Sequence, residues 1–152
     1  MPNQVVVRRA RKSDLRVLYD IEVECFREDS FPLHYIARFL EDPTFITLVT
    51  TLEGRIIGYI AAHVENFEGK RMGHIYSIAV RSEYRRRGAG SRLLEAIEEI
   101  LRQSGVKVCY LEARRDNIAA INFYLKHGYR IFEVLKDYYG AGGDGIRFLK
   151  FL

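Results

Sequence analysis

A short run of arginine and glycine residues joins a predicted strand to the most regular predicted helix of the chain. It reads Arg85-Arg86-Arg87-Gly88-Ala89-Gly90. Glycines allow positive φ angles and close approach to a ligand, and a helix N-terminus offers free N–H groups to an anion. The spacing matches neither the GxxxxGK[ST] loop nor GxGxxG. The run fits a pyrophosphate-binding loop, and it fits a solvated basic turn that caps a helix equally well.

Two predicted strands carry an imidazole and a carboxylate that could work together. In the strand His74–Val80 alternate side chains share one face, and in the strand Val108–Ala113 the same alternation places Glu112 on a face with every second residue. If the two strands are neighbours, His74 and Glu112 can hold a water between them. The sequence thus indicates a candidate site for general base chemistry.

Each candidate proton-transfer residue also has a structural interpretation. Glu112 could be a carboxylate at a strand end that pairs with Arg114 or Arg115. His74 could be a hydrogen-bonded histidine of the core or of a strand edge. Tyr124 lies in a predicted helix, where helical spacing alone favours a core aromatic. The residues by themselves leave these alternatives open.

Hydrophobic periodicity predicts one continuous domain over residues 1–152 with the order β-α-α-β-β-β-α-β-α-β-β. Hairpins in the first half and strand–helix alternation in the second predict an α/β fold. Its sheet has about seven strands, is mixed and mostly antiparallel, and is flanked by about four helices. The predicted strands are Val5–Arg9, Phe45–Thr51, Arg55–Val64, His74–Val80, Val108–Ala113, Tyr129–Leu135 and Ile146–Leu152. The predicted helices begin after Ser13-Asp14, at Pro32, after the arginine-glycine run and at Asn117.

Composition narrows the class of protein. The 48% hydrophobic and 29% charged content is typical of a folded soluble domain. The 24 Lys and Arg residues exceed the 20 Asp and Glu residues by four, which suggests an anionic partner such as nucleic acid, a membrane surface or a phosphorylated small molecule. Two cysteines form no disulfide framework and favour a reducing, cytoplasmic location. The sequence shows no apolar run long enough for a membrane span, no secretory signal and no metal-binding spacing.

With these features in place, the chain resembles the GNAT superfamily of N-acetyltransferases. The acetyl-CoA pyrophosphate loop of that family has the pattern [QR]-x-x-G-x-[GA], which Arg85, Gly88 and Gly90 match. The segment that begins at Leu111 and ends at Tyr124 resembles the family pattern L-E-x-R-x-x-N-x-x-A-x-x-x-Y. The likeness extends from about Gly58 to the C-terminus and implies the GNAT fold.

The loop Lys136-Asp137-Tyr138-Tyr139 narrows the resemblance within that family. It is similar to the double-tyrosine loop of amino-terminal acetyltransferases, which include the RimI-like ribosomal-protein enzymes and their archaeal relatives. Two departures from the family pattern lie in segments that the resemblance places next to the acceptor peptide. The Gly-rich turn 140–145 replaces the usual Glu-Asp-Ala triplet, and the loop Phe26–Pro32 lacks the Leu-Pro-Glu triplet of some members.

The resemblance implies residue roles as well as an activity. It implies transfer of acetyl from acetyl-CoA to the N-terminal α-amine of a protein or peptide by direct attack. Glu112 would be the general base, directly or through a water and with His74 assisting, and Tyr124 would be the acid that protonates the CoA thiolate. The implied cofactor-binding residues are Ile78, Ala79, Val80, Arg85, Arg86, Arg87, Gly88, Ala89, Gly90, Ser91, Asn117 and Tyr124. The implied substrate-binding residues are Asp29, Phe31, Tyr76, Tyr138 and Tyr139.

Several alternatives stay open beside this activity. The acceptor could be a lysine side chain or a small-molecule amine, or the chain could be an acyl-CoA-binding regulatory module without catalysis. A peptide α-amine has a pKa of roughly 7.7–8.0 and a lysine amine one near roughly 10.4, so a modest base suffices for the former and the latter costs more free energy to deprotonate. The expected partner is a protein N-terminus, with a ribosomal protein as one candidate, and the chain would be a monomer or a homodimer. No metal, membrane or nucleic-acid partner is expected.

Overall fold

The computed structural model describes residues 4–152, which form seven strands and four α-helices in the predicted order. Within these residues no helix has both the length and the apolar character needed to cross a membrane. The strands are β1 (Val5–Arg9), β2 (Phe45–Leu52), β3 (Arg55–Phe67), β4 (Lys70–Val80), β5 (Val108–Arg114), β6 (Arg130–Leu135) and β7 (Gly145–Phe151). The helices are α1 (Leu15–Phe26), α2 (Leu33–Glu41), α3 (Ala89–Gln103) and α4 (Ile118–Lys126), with short 3-10 turns at Lys12–Asp14, Arg27–Asp29 and Ser82–Tyr84.

The strands form one mixed sheet in the order β1-β2-β3-β4-β5-β7-β6. β4 and β5 pair in parallel, and the pairs β1–β2, β2–β3, β5–β7 and β6–β7 are antiparallel. The turn between β2 and β3 has positive φ angles at Glu53 (52°) and Gly54 (79°), as a tight two-residue hairpin requires. The predicted α/β fold with a mixed, mostly antiparallel sheet is confirmed.

The backbone contacts define two compact units, and each is described by itself. The first unit contains the chain up to His63 together with Ile75–Ile100, and the second contains Val64–His74 and Leu101–Leu152. The first core contains the fully buried Leu18, Ile36 and Tyr59. In the second unit, Cys109, Leu111, Tyr129 and Phe148 are buried. The single domain predicted over residues 1–152 stays a prediction.

Candidate active site

The arginine-glycine run forms a tight loop that leads into α3 in the first unit. Arg86 (φ 64°) and Gly88 (φ 80°) both adopt the left-handed region, and α3 begins directly afterwards at Ala89. Alternating left-handed residues turn successive backbone N–H groups toward one concave side, a geometry that favours anions. Nothing lies within 4 Å of the place where a Cβ on Gly88 would stand, so the conformation, not crowding, requires glycine there. The loop and the helix N-terminus fit a pyrophosphate.

The arginine side chains of this loop have different surroundings. The Nε of Arg85 donates to the carbonyl oxygen of Val80 at 3.3 Å, which ties the loop to the end of β4. The guanidinium of Arg87 lies over the ring of Tyr84 at 5.7 Å from its centroid. Arg86 is exposed. Two of the three arginines therefore also anchor the loop.

The end of β4 carries the residues predicted to pair with the cofactor through their main chain. Burial alternates along this strand: Ala79 is buried, whereas Ile78 and Val80 are half-buried. The carbonyl of Val80 accepts from Arg85 and also lies 3.3 Å from the thiol sulfur of Cys25. The side-chain parity predicted for this strand is thus confirmed.

In the second unit, His74 lies between two carboxylates. Its Nε2 is 2.7 Å from Oε1 of Glu112, and its Nδ1 is 2.6 Å from Oε1 of Glu65. The ring also stacks on Tyr110, with centroids 4.1 Å apart and planes 14° apart. The predicted proximity of His74 and Glu112 is confirmed, but the predicted water between them is wrong. In the parallel pair β4–β5, His74 stands opposite Tyr110. Glu112 lies two residues further along the same face of β5, within hydrogen-bonding distance of His74.

The second oxygen of Glu112 is held by an arginine from β7. The Nε of Arg147 donates to Oε2 of Glu112 at 2.8 Å, and these two residues stand opposite each other in the β5–β7 ladder. Arg147 also pairs with Glu133 of β6. Its guanidinium lies 5.0 Å from the ring centroid of Phe67. The sequence alternative that paired Glu112 with a following arginine is wrong.

Those two arginines face other carboxylates. Arg114 pairs with Asp116 at 3.2 Å, and Arg115 pairs with Asp144 at 3.5 Å. Glu112 therefore depends on a partner from another strand, since its own neighbours pair elsewhere.

The surroundings of Glu112 make it a stable anion. Burial by itself would raise the pKa of this carboxyl, but the hydrogen bonds and positive charges of His74 and Arg147 outweigh burial, and the pKa lies below the ordinary value of 4.5. Burial by itself would lower the pKa of the Arg147 guanidinium, but the hydrogen bonds and negative charges of Glu112 and Glu133 outweigh burial and raise it. Glu112 is therefore well suited to attract a cation and is by itself a weak base.

Tyr124 is buried in the second unit by other aromatic rings. Its ring centroid is 5.5 Å from that of Phe148 and 5.9 Å from that of Tyr129. Burial raises the pKa of the phenol well above its ordinary value of 10.0, so the hydroxyl keeps its proton near neutrality. At the start of the same helix, the side chain of Asn117 accepts from the N–H of Ala120 at 3.1 Å. Asn117 thus caps the N-terminus of α4.

The double-tyrosine loop is ordered by its own aspartates. Oδ1 of Asp144 accepts from the N–H of Asp137, and Oδ1 of Asp137 accepts from the N–H of Gly142. Tyr138 and Tyr139 meet edge to face at 4.9 Å. Partial burial and the negative charge of Glu112 raise the pKa of Tyr138, against an opposing effect of Arg147. The negative charge of Glu112 therefore affects the ionisation of a tyrosine in this loop.

The remaining candidate substrate residues, Asp29, Phe31 and Tyr76, lie in the first unit. Asp29 ends a short 3-10 turn, and the ring of Phe31 is 6.3 Å from that of Tyr76. The backbone N–H of Phe31 donates to Oε2 of the buried Glu22 at 3.0 Å. The structure thus places Phe31 and Tyr76 in one aromatic group next to the loop after α1.

Comparison with known proteins identifies the family. The model of the acetyltransferase (GNAT) family matches residues 15–129. The chain belongs to this family. It is therefore an acetyl-CoA-dependent N-acetyltransferase, and the activity predicted from the sequence is confirmed.

Individual proteins agree with this assignment. The chain is 31% identical to an N-alpha-acetyltransferase of Sulfurisphaera tokodaii, over 91% of this chain and 87% of the relative. It is 32% identical to the N-terminal acetyltransferase A complex catalytic subunit NAA10 of Arabidopsis thaliana, over 92% of this chain and 74% of the relative. The crystal structure of Ard1 from Thermoplasma volcanium superimposes with a TM-score of 0.86 and 25% identity, over 97% of each chain.

Sequence reasoning missed three polar residues of this acetyltransferase. Glu65 follows the point where the third strand was predicted to end, although β3 continues to Phe67. Arg147 interrupts the apolar pattern of β7, and this interruption could have drawn attention to it. The neighbouring sequence does not indicate which residue Arg147 would pair with. Glu22 shares a helix face with apolar residues and is only 1% exposed. Within residues 4–152, no cluster of His, Cys, Asp or Glu side chains has the makings of a metal site.

Proposed function

We propose that this acetyltransferase acts on the N-terminal α-amine of proteins or peptides. The observation that carries the proposal is similarity over nine-tenths of the chain to proteins named N-alpha-acetyltransferase and N-terminal acetyltransferase. The double-tyrosine loop also supports it, because Tyr138 in this loop is close enough to Glu112 for the carboxylate charge to add to the effect of burial on its pKa. Proteins whose N-termini emerge exposed, ribosomal proteins among them, are the substrates we expect.

The chemistry of the two kinds of amine favours this acceptor. Only a neutral amine attacks a thioester, and near pH 7.5 roughly a third of an α-amine is neutral, against roughly one part in a thousand of a lysine amine. Glu112 is a stable anion with a low pKa, so it is better suited to an amine that gives up its proton easily. A site built around such a carboxylate favours α-amines over ε-amines.

In the proposed reaction, Glu112 binds the incoming ammonium group and receives its proton, with His74 in direct contact behind it. The neutral amine then attacks the thioester carbonyl, a C–N bond forms as the C–S bond breaks, and the nitrogen gives up its second proton, which balances the proton gained by the thiolate. Tyr124 donates a hydrogen bond to the departing sulfur. Because burial raises the pKa of Tyr124, its phenol donates a hydrogen bond more readily than it gives up its proton. If the proton is fully transferred to the sulfur, the phenolate has to regain a proton.

The acetyl donor uses residues that recognise an anion and an extended chain. Acetyl-CoA supplies the activated acetyl group when it is bound. We assign its pyrophosphate to Arg85, Arg86, Arg87, Gly88, Ala89, Gly90 and Ser91, and its pantetheine to the main chain of Ile78, Ala79 and Val80 and to Asn117. We assign contacts with the acceptor peptide to Asp29, Phe31, Tyr76, Tyr138 and Tyr139.

The test uses matched peptides. Each peptide carries a free N-terminus and one internal lysine, and its twin has a blocked N-terminus and the same lysine. The panel varies the first residue and includes ribosomal-protein N-termini. After incubation with acetyl-CoA, we expect mass spectrometric fragmentation to place the acetyl group on the α-amine, and we expect the twins to stay unmodified.

Two results would contradict the proposal. Acetylation of the blocked twins at the rate of the free peptides would assign the activity to lysine side chains. Turnover of small amines with none of the peptides modified would assign it to small molecules. The release of CoA, measured with a thiol reagent, gives an independent rate for each substrate.

A further inference from the structure

Glu65 has no role in the reaction as described so far, yet it contacts the ring nitrogen that faces away from Glu112. Its Oε1 is 2.6 Å from Nδ1 of His74, and the hydroxyl of Tyr110 donates to the same oxygen at 2.8 Å. The Glu65 side chain is 22% exposed and that of His74 is 14% exposed. A carboxylate, an imidazole and a second carboxylate thus stand in one line from Glu65 to Glu112.

Hydrogen-bond accounting restricts what this line can do. A neutral imidazole has one N–H and one lone pair, and an ionised carboxylate only accepts. A neutral His74 therefore donates to one carboxylate and presents its lone pair to the other. Arg147 already donates to Glu112 and offsets its negative charge, which makes Glu112 the weaker acceptor for the imidazole N–H. The lone pair at Nε2 then faces Oε1 of Glu112 at 2.7 Å, and this contact becomes a hydrogen bond when a proton enters between the two acceptors.

We propose that Glu65 is the positioning residue for His74: it accepts the N–H of Nδ1 and leaves Nε2 to take the proton that Glu112 receives from the acceptor amine. This proposal rests on the proposed function and adds a proton path to it. A carboxylate that holds one imidazole nitrogen also stabilises the imidazolium form and fixes the tautomer. Stacking on Tyr110 fixes the plane of the ring, and the two carboxylates fix its rotation within that plane.

The proton balance is simple. An N–H bond of the acceptor ammonium breaks as an O–H bond forms on Glu112. That proton moves to Nε2 of His74, so Glu112 is a carboxylate again and the positive charge rests on the imidazole between two carboxylates. His74 releases the proton to water before the next turnover. No electron transfer is involved.

The charged and titratable groups around this line come from five parts of the second unit. Glu65 belongs to β3, and Tyr110 and Glu112 belong to β5. Arg147 of β7 binds Glu112 and also pairs with Glu133 of β6, while Tyr138 of the double-tyrosine loop responds to the charge of Glu112. Any pH dependence of His74 reflects all of these groups together.

The first test needs no substrate, and a variant serves only to assign the signal. In enzyme with ¹⁵N- and ¹³C-labelled histidine, NMR reports the tautomer and the titration midpoint of His74, assigned from the signal that disappears in His74→Asn. We expect the neutral form to carry its proton on Nδ1. A neutral form with its proton on Nε2 would overturn the proposal, whatever the substrate of the enzyme proves to be.

The second test removes the charge of Glu65 and keeps its shape. In Glu65→Gln we expect the titration midpoint of His74 to fall by about one pH unit, because the imidazolium loses a carboxylate. We expect kcat to fall about tenfold, with the KM for acetyl-CoA unchanged, and we expect Glu65→Asp to regain part of the activity. The matched control is Glu68→Gln, an exposed carboxylate in the next turn.

The outcomes separate this inference from the proposed function. An unchanged midpoint and an unchanged kcat in Glu65→Gln would overturn the role of Glu65. If that variant does not fold, the tautomer in the unmodified enzyme decides alone. A peptide panel that shows lysine acetylation would overturn the proposed acceptor and leave the NMR result unaffected, because NMR observes the free enzyme.

Discussion

Glu22 in the first unit and Glu112 in the second are both buried carboxylates, but different kinds of donor satisfy them. Glu22 accepts from the hydroxyls of Tyr59 at 2.6 Å and Ser77 at 2.7 Å, and from the backbone N–H of Phe31 at 3.0 Å. These three donors are uncharged. Glu112 instead contacts an imidazole nitrogen and accepts from a guanidinium.

The difference separates a carboxylate that holds structure from one that can exchange protons. Burial, and next the charge of Glu22, raise the pKa of Tyr59 well above its ordinary value, so this donor keeps its proton. Histidine is the side chain suited to proton exchange near neutrality, and one contacts Glu112 directly. Burial of a carboxylate therefore says little about function until its donors are known.

The largest expected effect is on catalysis. Glu112→Gln removes the anion that receives the amine proton, so we expect kcat to fall about 10²- to 10⁴-fold, the usual contribution of an acid–base group. Steady-state release of CoA with the best peptide measures it. Glu95→Gln, which changes an exposed carboxylate on α3, is the matched control and should retain full activity. A loss below threefold in Glu112→Gln would remove the distinction drawn between the two carboxylates.

The next effect is on stability and concerns Glu22. Glu22→Ala leaves the buried hydroxyls of Tyr59 and Ser77 and the N–H of Phe31 without their acceptor, at roughly 1–3 kcal/mol for each group. We expect the free energy of unfolding in urea to fall by about 3 kcal/mol or more. Below the unfolding transition, kcat should stay within a few-fold of the unmodified enzyme. A loss of kcat as large as that of Glu112→Gln, with stability unchanged, would show that Glu22 belongs to the chemistry.

The smallest effect concerns pH and Arg147. The pKa of Glu112 lies below its ordinary value in the folded enzyme, so the unfolded chain takes up the proton first as the pH falls. The stability that Glu112 contributes is therefore present above about pH 4.5 and is lost as the pH falls through that region toward the folded pKa. Arg147→Met removes one of the two groups that lower this pKa.

We expect Arg147→Met to cost about 1.5–3 kcal/mol near pH 7, the range for a hydrogen bond to a charged group. On acidification its further loss of stability should be smaller than that of the unmodified enzyme. Urea unfolding at a series of pH values between roughly 7 and 3 measures both quantities. Parallel losses in the two proteins across that range would mean that Arg147 does not control the ionisation of Glu112.

The sequence was informative where the signal is local. Alternation along β4 and β5 correctly placed His74 and Glu112 on one face of the sheet, because the two-residue period of a strand depends only on the backbone. The hairpin at Glu53-Gly54 is local in the same sense, since the turn needs residues that tolerate positive φ. The family pattern added the arginine-glycine loop, which the structure shows at the start of α3.

Local patterns could not identify the donors that contact Glu22 and Glu112. Glu112 meets Arg147 from 35 positions away, and Glu22 meets Ser77 from 55 positions away. Which residues stand opposite each other depends on the register of the β5–β7 ladder, and on how α1 packs on the strands. A difference of one residue in register would turn Arg147 to the other face and leave Glu112 without it.

The sequence was enough to predict the order of the elements, the anion-binding loop and the strand positions of His74 and Glu112, since each follows from spacing along one stretch of backbone. The tertiary structure decided which donors each carboxylate receives, and so which of them can pass a proton. Hydrogen bonds and ion pairs reach only a few ångströms. Residues distant in sequence acquire them only when packing and strand register bring them together.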